Sequence, residues 1–288
     1  MIYDLIVIGG GAAGCFSAIR LAELKPGTKI MILEAARKPL SKVEISGGGR
    51  CNVTHACFEP QELIKYYPRG GKELLEPFKI FQPKDIIAWF KSKGIKIKAE
   101  QDGRMFPESD SSSTIISCFQ NAIRRSGIEM LTSTRATGWE KERENGFWLI
   151  KLMDGKTHAA KNLLISSGSD QRTWEFLKKA GHTIIDPVPS LFTFQAKDKA
   201  ITSLSGISRP QVQVSIPEFN LSSSGPLLIT HWGFSGPAVL KLSAWGAREL
   251  YKCGYTFDFV INWTDEESSA LKTKLKTLFQ KETKRKVH

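Results

Sequence analysis

No stretch of this 288-residue chain approaches the ~20 consecutive apolar residues that a membrane helix needs, so no spanning segment is expected. The opening residues, MIYDLIVIGG, carry no basic n-region and run directly into strand-like sequence. They do not read as a signal peptide, and a cytoplasmic protein is the expectation. Cysteine is sparse. Cys15, Cys51, Cys57, Cys118 and Cys253 are odd in number and scattered, which argues against a disulfide framework and fits a reducing compartment. No Cys/His cluster has zinc-ligand spacing, there is no internal repeat, and no acid–base constellation is evident. Acidic residues are in deficit, 29 against 41 basic, for a net charge of +12. Such a balance can signal nucleic acid or an anionic substrate. The basic residues are dispersed, however, apart from the tail KETKRK at 281–286. A solvated lysine-rich surface is therefore the reading taken, and nucleic acid is not expected as a partner.

What is present is concentrated at the start. Leu5 to Ile8 is an apolar run of strand type, and Gly9, Gly11 and Gly14 follow in the spacing G-x-G-x-x-G. Ala12 to Leu24 has helical period, with Phe16, Ile19, Leu21 and Leu24 as its larger apolar positions. Lys29 to Leu33 is a second strand, and it ends on Glu34. This is a β-α-β unit with an acid twenty residues after the last glycine. Gly9 permits the tight turn, Gly11 lets the backbone approach a pyrophosphate, and Gly14 lets the helix lie close on the sheet. The helix N-terminus, with Ala12 and Ala13, offers free N–H groups and a positive dipole end to phosphates. Glu34 can accept both ribose hydroxyls of an adenosine and would repel a 2′-phosphate. The glycines alone are weak evidence. Strand, glycines, helix, strand and acid in order make a dinucleotide site the expectation.

The next segment distinguishes between dinucleotides. A long loop after Glu34 carries a second glycine cluster, Gly47, Gly48 and Gly49, followed by Arg50, Cys51 and Asn52. Extended FAD needs backbone contact further along the chain than NAD does. The three glycines permit close approach, and Arg50 can supply charge near pyrophosphate or flavin. A redox pair, Cys51 and Cys57, and an ordinary flexible loop are the other readings. Residues 60–93 read as helices with Ile86, Ile87, Trp89 and Phe90 on an apolar face. Ile95 to Ala99 is a short strand, GRMFP at 103–107 a turn and extended piece. A helix over Thr114 to Arg125 is capped by Asp110 or Ser111, and Ile128 to Leu131 is a strand. Three alternating segments, 134–141, 146–153 and 157–166, are separated by Asn145-Gly146 and Asp154-Gly155. Those dipeptides predict an antiparallel three-stranded meander. Its last strand ends at Ser166, Ser167 and Gly168, as in a glutathione-reductase-type FAD domain, where a meander covers one face of the parallel sheet. Beyond a helix at 174–180, Pro187 and Pro189 mark a domain crossing. Strands and turns fill 192–226. Ser235 is read as the N-cap of a helix over 238–251, Tyr255 to Ile261 as a strand, and 264 to about 284 as a polar helix.

The segments ISGGGRCNVT, GRMFP, GHTIIDPVPSLF and THWGFSGPAVL, in this order behind the N-terminal fingerprint, resemble the YhiN/BaiN-like family of FAD-dependent oxidoreductases, also labelled aminoacetone-oxidase-type. The resemblance covers nearly the whole chain. It implies an α/β protein: a glutathione-reductase-type FAD-binding Rossmann domain, of parallel sheet plus three-stranded meander, with an inserted β-rich domain and the start of a helical domain. The corresponding boundaries are 1–188, 189–263 and 264–288. It further implies bound FAD. Gly9, Gly11, Gly14 and Glu34 match the adenosine-binding positions, and Gly47 to Asn52 the second glycine loop. His231 to Pro237 match a loop that faces the flavin. Family members carry a longer glycine-rich segment after the strand ending at Gly168, and a further C-terminal segment that closes over the flavin. The chain therefore reads as a C-terminally short member.

The expected activity is hydride transfer between a small organic substrate and flavin, with NAD(P)H or oxygen as the other redox partner. The alternative is a non-catalytic remnant that keeps the adenosine half-site. His231 is the one proton-transfer candidate, since a free imidazole titrates near neutrality. A loop-fixing hydrogen bond is the competing role for it.

Overall fold

The computed structural model describes residues 1–264, 266 and 268–281. The chain divides into two compact units, Met1–Ile184 and Ile185–His288. The basic tail beyond Lys281, and the end of the polar helix expected near Lys284, lie outside the described residues. Among the described residues no helix is long and apolar enough to cross a membrane.

The first unit runs β1 (Ile2–Ile8), α1 (Ala12–Leu24), β2 (Ile30–Leu33), α2 (Ser41–Ile45), β3 (Thr54–His55), α3 (Pro60–Leu63), α4 (Gly71–Ile80), α5 (Pro83–Ser92), β4 (Ile97–Ala99), β5 (Arg104–Pro107), α6 (Ser112–Arg125), β6 (Glu129–Leu131), β7 (Ala136–Lys141), β8 (Trp148–Leu152), β9 (Thr157–Ile165) and α7 (Gln171–Lys179). Its main sheet has the order β6-β2-β1-β9-β8-β7. The first four strands are parallel, and β8 and β7 add on antiparallel. The expected meander is therefore present and shares β9 with the parallel sheet. Residues 157–160 of β9 pair with β8, and 159–165 pair with β1.

Period-two alternation sorts the sheet's side chains. Leu5, Val7, Ile30 and Ile32 join the cluster formed with α1, α5 and α6. Ile6, Ile8, Met31 and Leu33 fall on the other face, in one buried cluster with Ile150 and Leu152 of the meander. Trp89, Phe90 and Phe119 stack at 5.0–6.0 Å in the first cluster. Burying each such ring is worth roughly 1.5–3 kcal/mol. α1 differs from expectation in its buried face, which is Gly14, Cys15, Ala18 and Ile19, while Leu24 is exposed. Small residues are what let this helix sit close on β1. The N-cap of α6 is Ser111, whose Oγ accepts the Ser113 N–H at 3.3 Å. Asp110 instead takes a left-handed φ of 51° and pairs with Lys98 and Arg50.

The second unit contains β10 (Phe194–Gln195), α8 (Lys199–Thr202), β11 (Ser208–Ile216), β12 (Leu221–Thr230), β13 (Gly233–Ser235), α9 (Pro237–Trp245), α10 (Ala247–Lys252), β14 (Val260–Asn262) and α11 (Ser268–Lys281). Its sheet, β10-β13-β12-β11-β14, is antiparallel throughout. Val212, Val214, Ile216, Leu227 and Ile229 turn inward against Val239 and Leu242 of α9. Three expectations are corrected here. Ser235 closes β13, and the N-cap of α9 is Gly236, with Pro237 as the first helical residue. The single helix over 238–251 is two, broken at Gly246, where a Cβ would meet Leu221 Cδ1 at 2.4 Å. The strand read at 255–261 is paired only from Val260, because Tyr255 takes a φ of 59° and residues 256–259 have no neighbouring strand.

Candidate functional site: the carboxyl edge of the parallel sheet

Because β1, β2, β6 and β9 are parallel, their carboxyl ends share one edge, the position where open α/β sheets place ligands. Three turns meet there. Gly9 N–H donates to Leu33 O, Ser166 N–H to Ile8 O and Glu34 N–H to Leu131 O, each at 2.8 Å. These bonds fix the glycine turn, Glu34 and the Ser166–Gly168 turn against one another.

The three fingerprint glycines have different reasons to be glycine. Gly9 has φ +110°, and a Cβ there would lie 2.4 Å from Ser166 O. At Gly14 a Cβ would sit 2.1 Å from Gly9 O and 2.5 Å from Ser166 Oγ. Gly11 has φ −82° and ψ −173°, open to any L-residue, and a Cβ there would meet nothing within 4 Å. The protein's own packing thus requires glycine at 9 and 14 but not at 11. Gly11 is the N-cap of α1, no side chain caps that helix, and its first intrahelical bond is Cys15 N–H to Gly11 O at 3.0 Å. The N–H groups of Ala12, Ala13 and Gly14, which precede that bond, have no acceptor within the helix.

In front of them lies a cavity of 690 Å³. Gly9, Gly11, Ala12, Ala13 and Glu34 line one side, Leu40 to Val43 and Cys51 to Val53 another, and Ser166 to Gly168 the third. Phe16, Phe90, Ile115 and Phe119 make an apolar floor. Glu34 and Lys42 are the charged side chains among the described residues lining it. A second cavity of 260 Å³ shares Gly9, Glu34 and Ser167 and extends to Ala35, Ala36, Thr134, Arg135 and Asp170. Glu34 therefore stands where the two spaces meet. Its Oε2 accepts the Gly10 N–H at 2.7 Å and its Oε1 the Ala36 N–H at 2.6 Å. Each carboxylate oxygen keeps lone-pair capacity for a further donor.

Of the residues singled out from sequence, Gly9, Gly11, Ala12, Ala13, Glu34, Cys51, Asn52 and Gly168 converge on the larger cavity. Gly14 lies directly behind the glycine turn. The second glycine cluster is a compact turn, with Gly47, Gly48, Gly49 and Cys51 all at positive φ. Gly47 packs within it, since a Cβ would strike Asn52 N at 2.7 Å and Phe106 Cε1 at 2.9 Å. Gly47, Gly48, Gly49 and Arg50 are outside the cavity lining. Arg50 pairs with Glu100 at 2.6 Å and Asp110 at 3.5 Å, and its guanidinium sits 3.9 Å from the Phe106 centroid. His231 belongs to the second unit, in the turn between β12 and β13, with its ring 4.1 Å from that of Trp232.

All five cysteines are free. Burial, then the nearby Glu34 carboxylate, pushes the Cys15 thiol up to about 12. Burial also raises Cys51, against a smaller opposing effect of a bond to Ser46. Both are neutral thiols at physiological pH. Sequence reasoning missed Lys42, which sits among charged loop residues, and Arg135. Neither has a local pattern that marks it.

The family described as HI0933-like protein Rossmann domain matches residues 3–276. The chain belongs to this family. Two curated relatives of this HI0933-like chain match at 28% and 26% identity. One is a protein of Haemophilus influenzae named ribosomal RNA dihydrouridine synthase, 28% identical over 83% of this chain and 60% of its own length. Another, from Clostridium scindens, is named 3-dehydro-bile acid delta(4,6)-reductase and is 26% identical over 85% of this chain and 61% of its own. The HI0933-like chain thus spans about three fifths of the curated relatives it matches. Among solved structures, THI4 of Thermovibrio ammonificans superposes with a TM-score of 0.44 at 14% identity, covering 63% of this chain and 64% of its own.

Proposed function

We propose that this chain binds FAD along the two joined cavities and serves an oxidoreductase that moves hydride between a small organic substrate and flavin, with NAD(P)H or oxygen as the other redox partner. Gly11 carries the reading. It is a glycine that nothing in the protein's own packing demands, placed where a side chain would enter the cavity beside free N–H groups of a 13-residue helix. A diphosphate explains it, because bare backbone can then approach the phosphate oxygens.

The residues divide the ligand among them. The α1 N-terminus takes the diphosphate, and Glu34 the ribose of the adenosine half. The smaller cavity between Ala35–Ala36 and Thr134–Ala136 takes the adenine. The larger cavity, with its Phe16, Phe90, Ile115 and Phe119 floor, accommodates the rest and excludes water from it. When bound, the flavin supplies the hydride chemistry. The names of the two relatives, dihydrouridine formation and Δ4,6 reduction, both describe saturation of a carbon–carbon double bond, which favours that substrate class. The proposed domain division is 1–188 for FAD binding, 189–263 for a β-rich insert and 264–288 for the start of a helical part. His231 is proposed as the proton-transfer residue, and a cytoplasmic location fits the five free thiols.

The test is the colour and content of the purified protein. Heat release followed by chromatography is expected to yield FAD. Binding of ADP without FAD would select the alternative in which only an adenosine half-site is kept. Binding of neither would overturn the assignment.

A further inference from the structure

Resting on that reading, we infer that Lys42 is the cationic clamp of the diphosphate: its ammonium adds a positive charge to the cavity that the α1 N-terminus also lines, and sets affinity for the charged part of the ligand. Lys42 is the one basic residue among the described residues lining the larger cavity. It reaches across from α2 to the turn after β9, where its Nζ donates to Ser169 Oγ at 2.7 Å. Gly168 lies beneath this link, and a Cβ there would stand 3.6 Å from the ammonium.

Both ends of the link are anchored to the glycine turn. Two residues before Lys42, the Leu40 N–H donates to Gly10 O at 3.0 Å, and Leu40 is buried in a left-handed conformation. Three residues before Ser169, Ser166 Oγ donates to Gly9 O at 3.1 Å. Lys42 and Ser169 thus complete a ring whose other members are the glycine turn and its two neighbouring loops.

Charge makes the ring selective. Lys38, four residues before Lys42, is neutralised by Glu44, and Arg135 in the smaller cavity faces Asp170 at 3.6 Å. Lys42 has only a neutral hydroxyl as partner among the described residues. Glu34 already bonds Gly10 and Ala36. The cavity therefore presents a positive helix end and an ammonium that is paired with no carboxylate among the described residues. That combination suits a doubly charged diphosphate better than a neutral nucleoside. A lysine suits the role because its point charge can leave a hydroxyl and follow a phosphate oxygen.

The experiment measures the affinity of the full chain for ADP, FAD and adenosine by calorimetry, at low and high salt, in wild type, K42M, K42R and S169A. K42M is expected to weaken ADP and FAD at least about tenfold, which corresponds to about 1.4 kcal/mol. Adenosine should stay within about twofold, and the K42M deficit should narrow at high salt. K42R should recover most of the affinity. S169A, which frees the ammonium but keeps it, should bind ADP as tightly as wild type or more so. Unchanged ADP affinity in K42M would reduce Lys42 to a tether of the turn and overturn the inference. An equal loss for adenosine and ADP, or a loss in S169A as large as in K42M, would do the same. Should wild type bind neither ADP nor FAD, the dinucleotide reading itself fails, a result separate from any effect at Lys42.

Discussion

Glu34 and Gly10 are joined by a 2.7 Å hydrogen bond from the Gly10 N–H to the Glu34 carboxylate, so the acid at the end of β2 holds the middle of the glycine turn. The same side chain thus shapes the turn and, in the proposed function, meets the ribose. E34A is expected to cost about 1–2 kcal/mol of stability, since two N–H groups lose a charged acceptor. It should also weaken ADP about tenfold. Discrimination against a 2′-phosphorylated ADP should narrow at the same time, because the repelling charge is gone. The ratio of the two affinities in wild type and E34A is the readout, and an unchanged ratio would contradict the ribose assignment.

The fingerprint glycines should separate folding from binding. G11A leaves the melting temperature unchanged, because its Cβ meets nothing within 4 Å, while dinucleotide affinity falls. G11V abolishes that binding. G14A is destabilised by about 3 kcal/mol, because its Cβ is driven into Gly9 O and Ser166 Oγ. Denaturant melts paired with FAD titrations measure both effects, and unaltered FAD affinity in G11V would refute the diphosphate position.

Thiol reactivity should follow burial. In native protein at pH 8, iodoacetamide is expected to label the partly exposed Cys57 and spare Cys15, which is fully buried and whose thiol is pushed up to about 12. Peptide mass mapping over time reads this out. Equal labelling rates at the two sites would show that the α1–β1 packing opens freely.

Tyr3 donates to Glu129 Oε2 at 2.6 Å, tying β1 to β6 across β2. Burial first, then the bond and the charge of Glu129, push its phenol up to about 12 from 10.0. The folded value lies above the unfolded one, so the stabilisation is complete below pH 10 and is lost as pH rises from 10 toward 12. Urea midpoints of wild type should therefore fall more steeply than those of Y3F across that window. Parallel profiles would remove the Tyr3–Glu129 bond from the stability of the sheet.

The sequence was legible where the cause is local. Gly9, Gly11, Gly14 and Glu34 lie within one β-α-β unit, and strand ends and helix start follow from their spacing. Asn145-Gly146 and Asp154-Gly155 mark the meander turns for the same reason. Lys42 was not legible, because its partner Ser169 is 127 residues away. Gly246 lies inside a pattern whose apolar period continues on both sides, and the close approach of Leu221, from a strand 25 residues away, leaves no room there for a Cβ. Tyr255, Phe257 and Phe259 alternate like a strand, yet pairing depends on a neighbour that periodicity does not reveal. Gly47 was read for its freedom to approach a ligand, whereas its tight neighbours are Asn52 and Phe106.

The sharing of β9 between two partners carries a constraint of phase. Its first residues are held by β8 and its last by β1, with only Ala159 and Ala160 touching both. One residue inserted near Asn162 would invert the facing of Leu163, Leu164 and Ile165 while leaving the meander in place. The turn at Ser166 would then present its hydroxyl to the wrong side of the glycine loop. The hairpins that extend the sheet beyond β9 thereby act as a ruler for the ligand edge, and length changes in this protein are expected to survive at the tips of those hairpins but not along the strand they feed.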